Sequence, residues 1–332
     1  MKKNNRVVFI NGKFVPEQEA KISIYDSALM FGDMVFEMTR SFQKKQFLLE
    51  KHVDRLLVGL KILRIPLKYK KSEIIKFCHE TVERNRSVMG SDDEDRLMID
   101  VSRGILDIYK KIPGIHKGAN LVIANFPLRW TVQGMGKLFN GGINAVVTSQ
   151  RAIPSMYMDP KIKNRSRLFY LTANIEASQF KGSNNWAMLL DSNGFISEGT
   201  GDNFFIVKDE KVITPFGKDI LRGISRDYVL HDLCKELGIE SCEGNIEPYD
   251  VYTADEAFMT GTPFCMLPVT KFNGLQVGSG KKGKIFSKLL KLWSSNVGIN
   301  IEKQIKTWNK KDKKDSLKLS PYTFKDKTKN KS

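Results

Sequence analysis

Acidic residues are in short supply in this chain of 332: 37 Asp and Glu stand against 54 Lys and Arg, a formal net charge of +17. Such a balance invites a nucleic-acid reading. Much of the excess, however, falls in the stretch from Lys306, KTWNKKDKKDSLKLSPYTFKDKTKNKS, and the rest is lysine spread over surface-like positions. Lysine dominating arginine beside many Asn and Ile is what an A·T-rich genome produces, so composition accounts for the charge and no nucleic-acid partner is expected. Cysteine is also scarce. Cys78, Cys234, Cys242 and Cys265 show no CxxC spacing and lie in apolar or helical contexts, which reads as reduced core residues and argues against a metal centre. The start, MKKNNRVVFINGKF, has no apolar h-region and no cleavage site, and no run reaches the length of a membrane span. The expectation is a soluble, cytoplasmic protein with no membrane partner. No internal repeat is visible.

Hydrophobic residues make up 41% of the chain, enough for one large or two ordinary domains with real cores. RVVFI, the Asn11-Gly12 turn and KFVP predict a hairpin, and MVFEMTRSF and QFLLE predict two further strands. Val53, Leu56, Leu57, Leu60 and Leu63 recur at helical spacing until Pro66, and a second helix is expected over Ser72 to Met89. RLMIDVSRG and NLVIANF would close a first domain at residues 1–127, with a connector over 128–138. A second set of strands and helices fills 139–305: GINAVVTS, a helix after Lys163, WAMLLD meeting FISEG across Asn193-Gly194, and MLPVTKF meeting LQVG across Asn273-Gly274. Strands dominate and helices fall between sets, so the class is α+β and not a serial parallel βαβ fold. Residues 306–332 are too polar to bury a core and are expected to be disordered or loosely docked, with Trp308, Tyr322 and Phe324 as the candidate anchors.

The most informative stretch is Glu198 to Arg226, EGTGDNFFIVKDEKVITPFGKDILRGISR. It alternates as strands do, then passes through Gly223 into the first turn of a helix, with Ser225 a good N-cap and Gly238 the stop. A helix start opened by glycine offers free backbone N–H groups to a phosphate. The order of residue types, Glu, then Asn-Phe-Phe, then apolar-x-Thr, then Leu-x-Gly-Ile-x-Arg, resembles the motif of the class IV aminotransferases, the fold type IV enzymes that use pyridoxal 5'-phosphate. The resemblance spans approximately residues 6 to 300 and implies two α/β domains with the cofactor between them.

It also implies a lysine upstream that forms a Schiff base with the cofactor. Lys163, in KIKNRSRLFYLTANIEA, keeps the family spacing of roughly a dozen residues ahead of Glu176-Ala177, whereas its rival Lys161 does not. Once displaced by substrate, that amine can shuttle a proton between the substrate α-carbon and cofactor C4′. Glu198 would face the pyridine nitrogen. The N–H groups of Ile224 and Ser225, Thr262 in FMTGTPFCMLPV, and Arg55 in LEKHVDRL match the family's phosphate ligands. His52 belongs to the same HxxR pattern in a supporting place. Phe36, in FGDMVFEMTR, would line the substrate pocket, with Glu37 and Arg40 pairing across it or supporting its wall. Arg103 and Gly104 match a structural Arg-Gly pair.

IANFPLRW and GGINAVVTSQRAIPSMYMDPKIK resemble the branched-chain aminotransferase group, and Phe36, Leu128 and Trp130 would make the apolar pocket that branched or aromatic side chains require. Arg96 falls where that group places an arginine able to receive a side-chain carboxylate, which implies glutamate and 2-oxoglutarate as one substrate pair. Two positions depart from the pattern. Leu168 stands where a cofactor-contacting tyrosine is usual, leaving Tyr170 as a substitute, and Pro263 lacks the N–H that often holds the substrate carboxylate. The expected activity is transamination between an apolar amino acid and a 2-oxo acid, in a homodimer or higher homo-oligomer. The alternatives are an aminodeoxychorismate lyase, a D-amino acid aminotransferase, an amine transaminase, or a catalytically idle scaffold that binds nucleic acid or anionic surfaces through its Lys-rich tail.

Overall fold

The structure, a computed structural model, describes residues 6–311. Most of the Lys-rich tail, Tyr322 and Phe324 included, lies outside the described residues. The chain groups into two units. One runs to Thr131 and includes Lys161–Arg167; the other comprises Val132–Pro160 and the chain from Leu168 onward. The lysine segment therefore belongs with the first unit, not with the 139–305 block in which the sequence placed it.

In the first unit, β1 (Val7–Ile10) and β2 (Lys13–Pro16) form the expected hairpin. Asn11 and Gly12 turn it with φ of 51° and 95°, the left-handed pair whose twist matches the flanking strands. A short helix, α1 (Ser27–Phe31), starts where the Asp26 side chain accepts from the Ala28 N–H. Strands β3 (Met34–Phe42), β4 (Lys45–Gln46), β5 (Asp95–Ser102) and β6 (Asn120–Pro127) complete an antiparallel sheet of order β2-β1-β6-β5-β3-β4. The strand expected over QFLLE is only the two-residue β4, because Leu48 takes φ 51° and turns the chain into helix α2 (Leu49–Leu63). Helix α3 (Lys71–Asn85) stops short of Met89, and Arg86–Val88 tighten into a 3-10 turn.

Strand alternation sorts the sheet into two faces. Leu97, Ile99 and Val101 of β5 and Leu121 and Ile123 of β6 pack with Val53, Leu56 and Leu60 of α2 and Ile74, Cys78 and Val82 of α3. Ile162, next to the candidate lysine, is part of the same core. A Cβ on Gly59 of α2 would stand 3.2 Å from Val35 and 3.6 Å from Ile162, so this glycine lets helix, strand and lysine segment close up.

One ion cluster interrupts the apolar packing. Glu37 of β3 is fully buried, accepts from Arg55 Nε at 2.6 Å and Nη2 at 2.8 Å, and lies 2.7 Å from His52 Nδ1. Burial alone would push the Glu37 carboxyl up, but the Arg55 guanidinium and His52 outweigh it and hold the group well below the usual carboxylate range. His52 moves down, chiefly through burial, with the Glu37 carboxylate opposing and the Arg55 and Lys163 cations reinforcing the shift. A neutral ring then donates Nδ1–H to Glu37. The expected Glu37–Arg40 pairing is not the arrangement found: three residues apart on a strand, they point to opposite faces, and Arg40 stacks on Phe42 at 3.9 Å.

The second unit is a nine-stranded sheet: β7 (Ile143–Arg151), β8 (Asn185–Leu190), β9 (Ile196–Gly199), β10 (Asn203–Lys208), β11 (Lys211–Pro215), β12 (Ser241–Gly244), β13 (Glu256–Gly261), β14 (Cys265–Phe272) and β15 (Leu275–Gln276). Its path β12-β11-β10-β13-β14-β7-β8-β9 returns on itself where Glu198 of β9 pairs with Asn203 of β10. The helix Leu168–Gln179 covers β7 and β8 through Tyr170, Ala173 and Ala177. The final helix, Ile301–Lys311, runs past Lys306, where the loose tail was expected to begin. Ile301, Ile305 and Trp308 recur at helical spacing and are all buried, which keeps this turn of chain ordered.

The Glu37 cluster carries a test. Its depressed folded pKa means that its stabilisation is present above the ordinary value of 4.5 and is lost as pH falls below it. Glu37→Gln should lower unfolding free energy at pH 7 by about 3–5 kcal/mol, since it breaks the buried Glu37–Arg55 charge pair. The variant should also show a flatter loss of stability between about pH 5 and pH 3 than the parent. Chemical denaturation at several pH values measures both, and parallel acid limbs would refute the assignment.

Candidate active site

Pairing with β3 places the candidate lysine. The Phe36 N–H donates to the Lys163 carbonyl at 2.9 Å, the Arg165 N–H donates to the Met34 carbonyl at 3.2 Å, and Val35 bridges Asn164. Ile162 anchors the segment in the core, so Lys163 leaves a fixed backbone with its Nζ 4.7 Å above the Phe36 ring. The first unit thus brings together Lys163, Phe36, Glu37, His52 and Arg55. Phe36, Met38 and Arg40 share the sheet face away from α2 and α3, opposite Asp100, Met98 and Arg96 in register. Arg96 is buried, and Trp130, half exposed, stacks on Phe126, the β6 neighbour of Arg96. Leu128 is wholly buried. Arg103 is structural: it pairs with Asp33 and donates to the Leu63 and Arg64 carbonyls at the end of α2. At Gly104, φ 84°, a Cβ would collide with the Gly118 carbonyl.

In the second unit the centre is Glu198, 4% exposed. Its Oε1 accepts from the Tyr170 hydroxyl at 2.6 Å, and Oε2 accepts from Asn203 Nδ2 at 3.1 Å and the Leu221 N–H at 3.0 Å. Asn203 also donates to the Leu221 carbonyl at 2.9 Å, tying the approach to the helix start. That helix opens with Gly223 as its N-cap, not Ser225. A Cβ at residue 223 would lie 2.0 Å from Asn203 Oδ1, so only glycine passes here and the cap moves two residues upstream. Ile224 and Ser225 become its first two helical residues, whose N–H groups have no partner four residues back inside the helix. Thr262 and Pro263 lie in the three-residue turn between β13 and β14, with Phe264 packed under Gly261.

Sequence reasoning missed the clamp on Glu198. Asn203 lay inside the recognised motif, but Tyr170 had only its spacing to speak for it, and its hydroxyl is engaged by Glu198. Leu168, at the usual tyrosine position, is 71% exposed. The pair of Arg165 with Asp100, at 2.8 Å, carried no sequence signal. Of the cysteines, Cys78, Cys234 and Cys265 are buried as expected, while Cys242 is partly exposed. Among the described residues no cluster of metal-ligating side chains forms, and no helix is long and apolar enough to cross a membrane.

Comparison with known proteins supports the same chemistry. The family model for amino-transferase class IV matches residues 34–272. A putative branched-chain-amino-acid aminotransferase of Methanocaldococcus jannaschii is 37% identical over 283 residues, covering 85% of this chain and 93% of its own. The branched-chain-amino-acid aminotransferase of Escherichia coli K12 is 32% identical over 288 residues, covering 85% and 90%. A crystal structure of the E. coli branched-chain enzyme superposes with a TM-score of 0.79 at 29% identity, covering 88% of this chain and 94% of that one. A T.th. branched-chain amino acid aminotransferase complexed with N-(5'-phosphopyridoxyl)-L-glutamate gives 0.76 at 27% identity, covering 88% and 94%. By this family model and these relatives, the chain belongs to the class IV aminotransferases, fold type IV enzymes that use pyridoxal 5'-phosphate to transfer an amino group between an amino acid and a 2-oxo acid.

Proposed function

We propose that this enzyme is a branched-chain-type aminotransferase that works on amino acids with apolar side chains and uses glutamate and 2-oxoglutarate as one substrate pair. The observation that carries the reading is the Glu198 clamp. A buried carboxylate with hydrogen-bond donors on both oxygens is what a protonated pyridine nitrogen needs as its partner, so the residues present fit pyridoxal phosphate. Bound, that cofactor supplies an electron sink for the negative charge developed at the substrate α-carbon.

Lys163 would attach it, Glu198 would hold its ring nitrogen, and Ile224 N–H, Ser225 N–H, Thr262 and Arg55 would hold its phosphate. Glu37 and His52 orient Arg55 through a fork that leaves the guanidinium little rotational freedom. The Lys163 amine would remove the α-proton and return it on the other side of the reaction. Phe36, Met38 and Met98 offer aliphatic and aromatic surface for an apolar substrate side chain, and Arg96 a cation for the distal carboxylate of glutamate. Pro263 cannot donate to the substrate α-carboxylate, so another group must anchor it. We place the enzyme in the cytoplasm as a homodimer; Leu29 and Phe31 on α1, 66% and 64% exposed, offer apolar surface to a second copy.

Borohydride reduction of the cofactor-loaded protein should fix the chromophore on Lys163, and Lys163→Ala should abolish amino transfer while keeping a near-native melting temperature. A label on Lys161, or a protein that cannot be loaded, would remove the lysine from this role. For the phosphate group, Arg55→Ala should weaken cofactor binding by about 10- to 100-fold in a titration, the loss of one charge-assisted contact. Gly223→Ala should weaken it as well by driving Asn203 off Glu198, and unchanged affinity in both variants would rule out this cradle.

A further inference from the structure

The chain segment that delivers Lys163 delivers a second cation two residues later. Arg165 lies flat on the aromatic ring expected to line the substrate pocket, its guanidinium carbon 3.6 Å from the Phe36 centroid. Asp100, directly across from Phe36 in register, holds it there: Oδ1 accepts from Arg165 Nε at 3.3 Å and Nη2 at 2.8 Å. The same Nη2 touches Met98 Sδ at 3.5 Å. From the other end of the face, Arg96 Nη2 lies 3.7 Å from Met38 Sδ. Met38 and Met98 are cross-strand partners, so both guanidiniums converge on one apolar pair.

Neither arginine is spent. Arg96 is 7% exposed, and its Nε has no hydrogen-bond partner among the described residues, which is costly for a buried donor. Burial, with Arg40 and Arg165 near it, pushes its pKa down to about 9, against the opposing pull of Glu37. Arg165 gives Asp100 two nitrogens and keeps the two N–H groups of Nη1, unclaimed among the described residues. Around the Met38–Met98 pair the anions are Glu37, which is engaged by Arg55 and His52, and Asp100, engaged by Arg165. The face therefore carries excess positive charge over an aliphatic floor.

We propose that Arg165, held on Phe36 by Asp100, is a specificity-determining residue that acts with Arg96 as a two-guanidinium clamp for an anionic substrate side chain, so that a dicarboxylic amino acid or 2-oxo acid is favoured over a monocarboxylic one of similar length. The methionine pair accepts the intervening methylenes and the two planar forks take the distal carboxylate. The assignment rests on the aminotransferase reading of the Lys163 site, and Arg165 is absent from every role given to that site above.

Unreactive acids separate the two. In calorimetric titration of the cofactor-loaded protein, glutarate should bind at least about tenfold more tightly than 4-methylpentanoate, a difference of one charge-assisted contact. Arg165→Gln should remove most of that difference by weakening glutarate about tenfold while 4-methylpentanoate stays within about twofold. In steady-state assays the same variant should raise KM for 2-oxoglutarate and leave kcat with a branched-chain amino donor nearly unchanged. Equal binding of the two acids by the parent protein overturns the clamp without any variant, and so does a Gln variant that weakens both acids alike, the result expected if Arg165 only packs. Failure of the aminotransferase reading has a different signature: no amino transfer with any pair, whatever the preference in acid binding.

Discussion

Two backbone hydrogen bonds, Phe36 N–H to the Lys163 carbonyl and Arg165 N–H to the Met34 carbonyl, fix the candidate lysine in the first unit. They turn a connecting segment into an extra edge of β3 and so transfer the rigidity of an antiparallel sheet to a lysine that lies far along the chain. Ile162 anchors the segment in the core, and Gly59 lets α2 lie close to Val35 of β3, where a Cβ would be tight at 3.2 Å. Alternation along the segment then sends Lys163 and Arg165 toward the same ring, Phe36. A residue on a free loop would have to be ordered each time it acted, whereas here that entropy is lost once, on folding.

Two buried glutamates show how environment assigns different work to one side chain. Glu37 is surrounded by a guanidinium and an imidazole on the helix side of the sheet, and its charge serves to aim Arg55. Glu198, on the sheet of the second unit, accepts from a phenol, an amide and a backbone N–H. The first arrangement suits a positioning group, the second a carboxylate that must answer a cationic ring. Sequence position alone does not distinguish them.

The face of β3 and β5 away from the helices has a mixed character that suits the proposed alternation between an apolar and an acidic substrate. Met38 and Met98 are flexible and polarisable, able to repack around either. The arginines at the two ends supply charge where a second carboxylate would fall. A single pocket can hold both types only if its cations do not block the apolar floor, and stacking Arg165 on Phe36 keeps its charge to one side.

Much was legible in the sequence because it depended on local pattern. The hairpin at Asn11-Gly12, the strand alternation of β3, β5 and β6, the apolar spacing of α2 and the glycine before Ile224 each follow from the conformational limits of a few neighbouring residues. Motif order is also what nominates Lys163 and Glu198 as the candidate cofactor residues. Other features were decided by residues far apart in sequence. Leu48 enters the left-handed region and ends QFLLE as a strand, and Asn203 crowds Gly223 and moves the helix cap off Ser225. Tyr170 meets Glu198 across 28 residues, and Asp100 finds Arg165 across 65 residues. Trp308 is held by the packing of Ile301 and Ile305 on the same helix face, although composition alone had assigned that stretch to the tail. Periodicity and turn chemistry act within a few residues and leave a trace in the sequence; the partner of a buried polar group is set by which strands and helices come to lie side by side, and only the tertiary fold determines that.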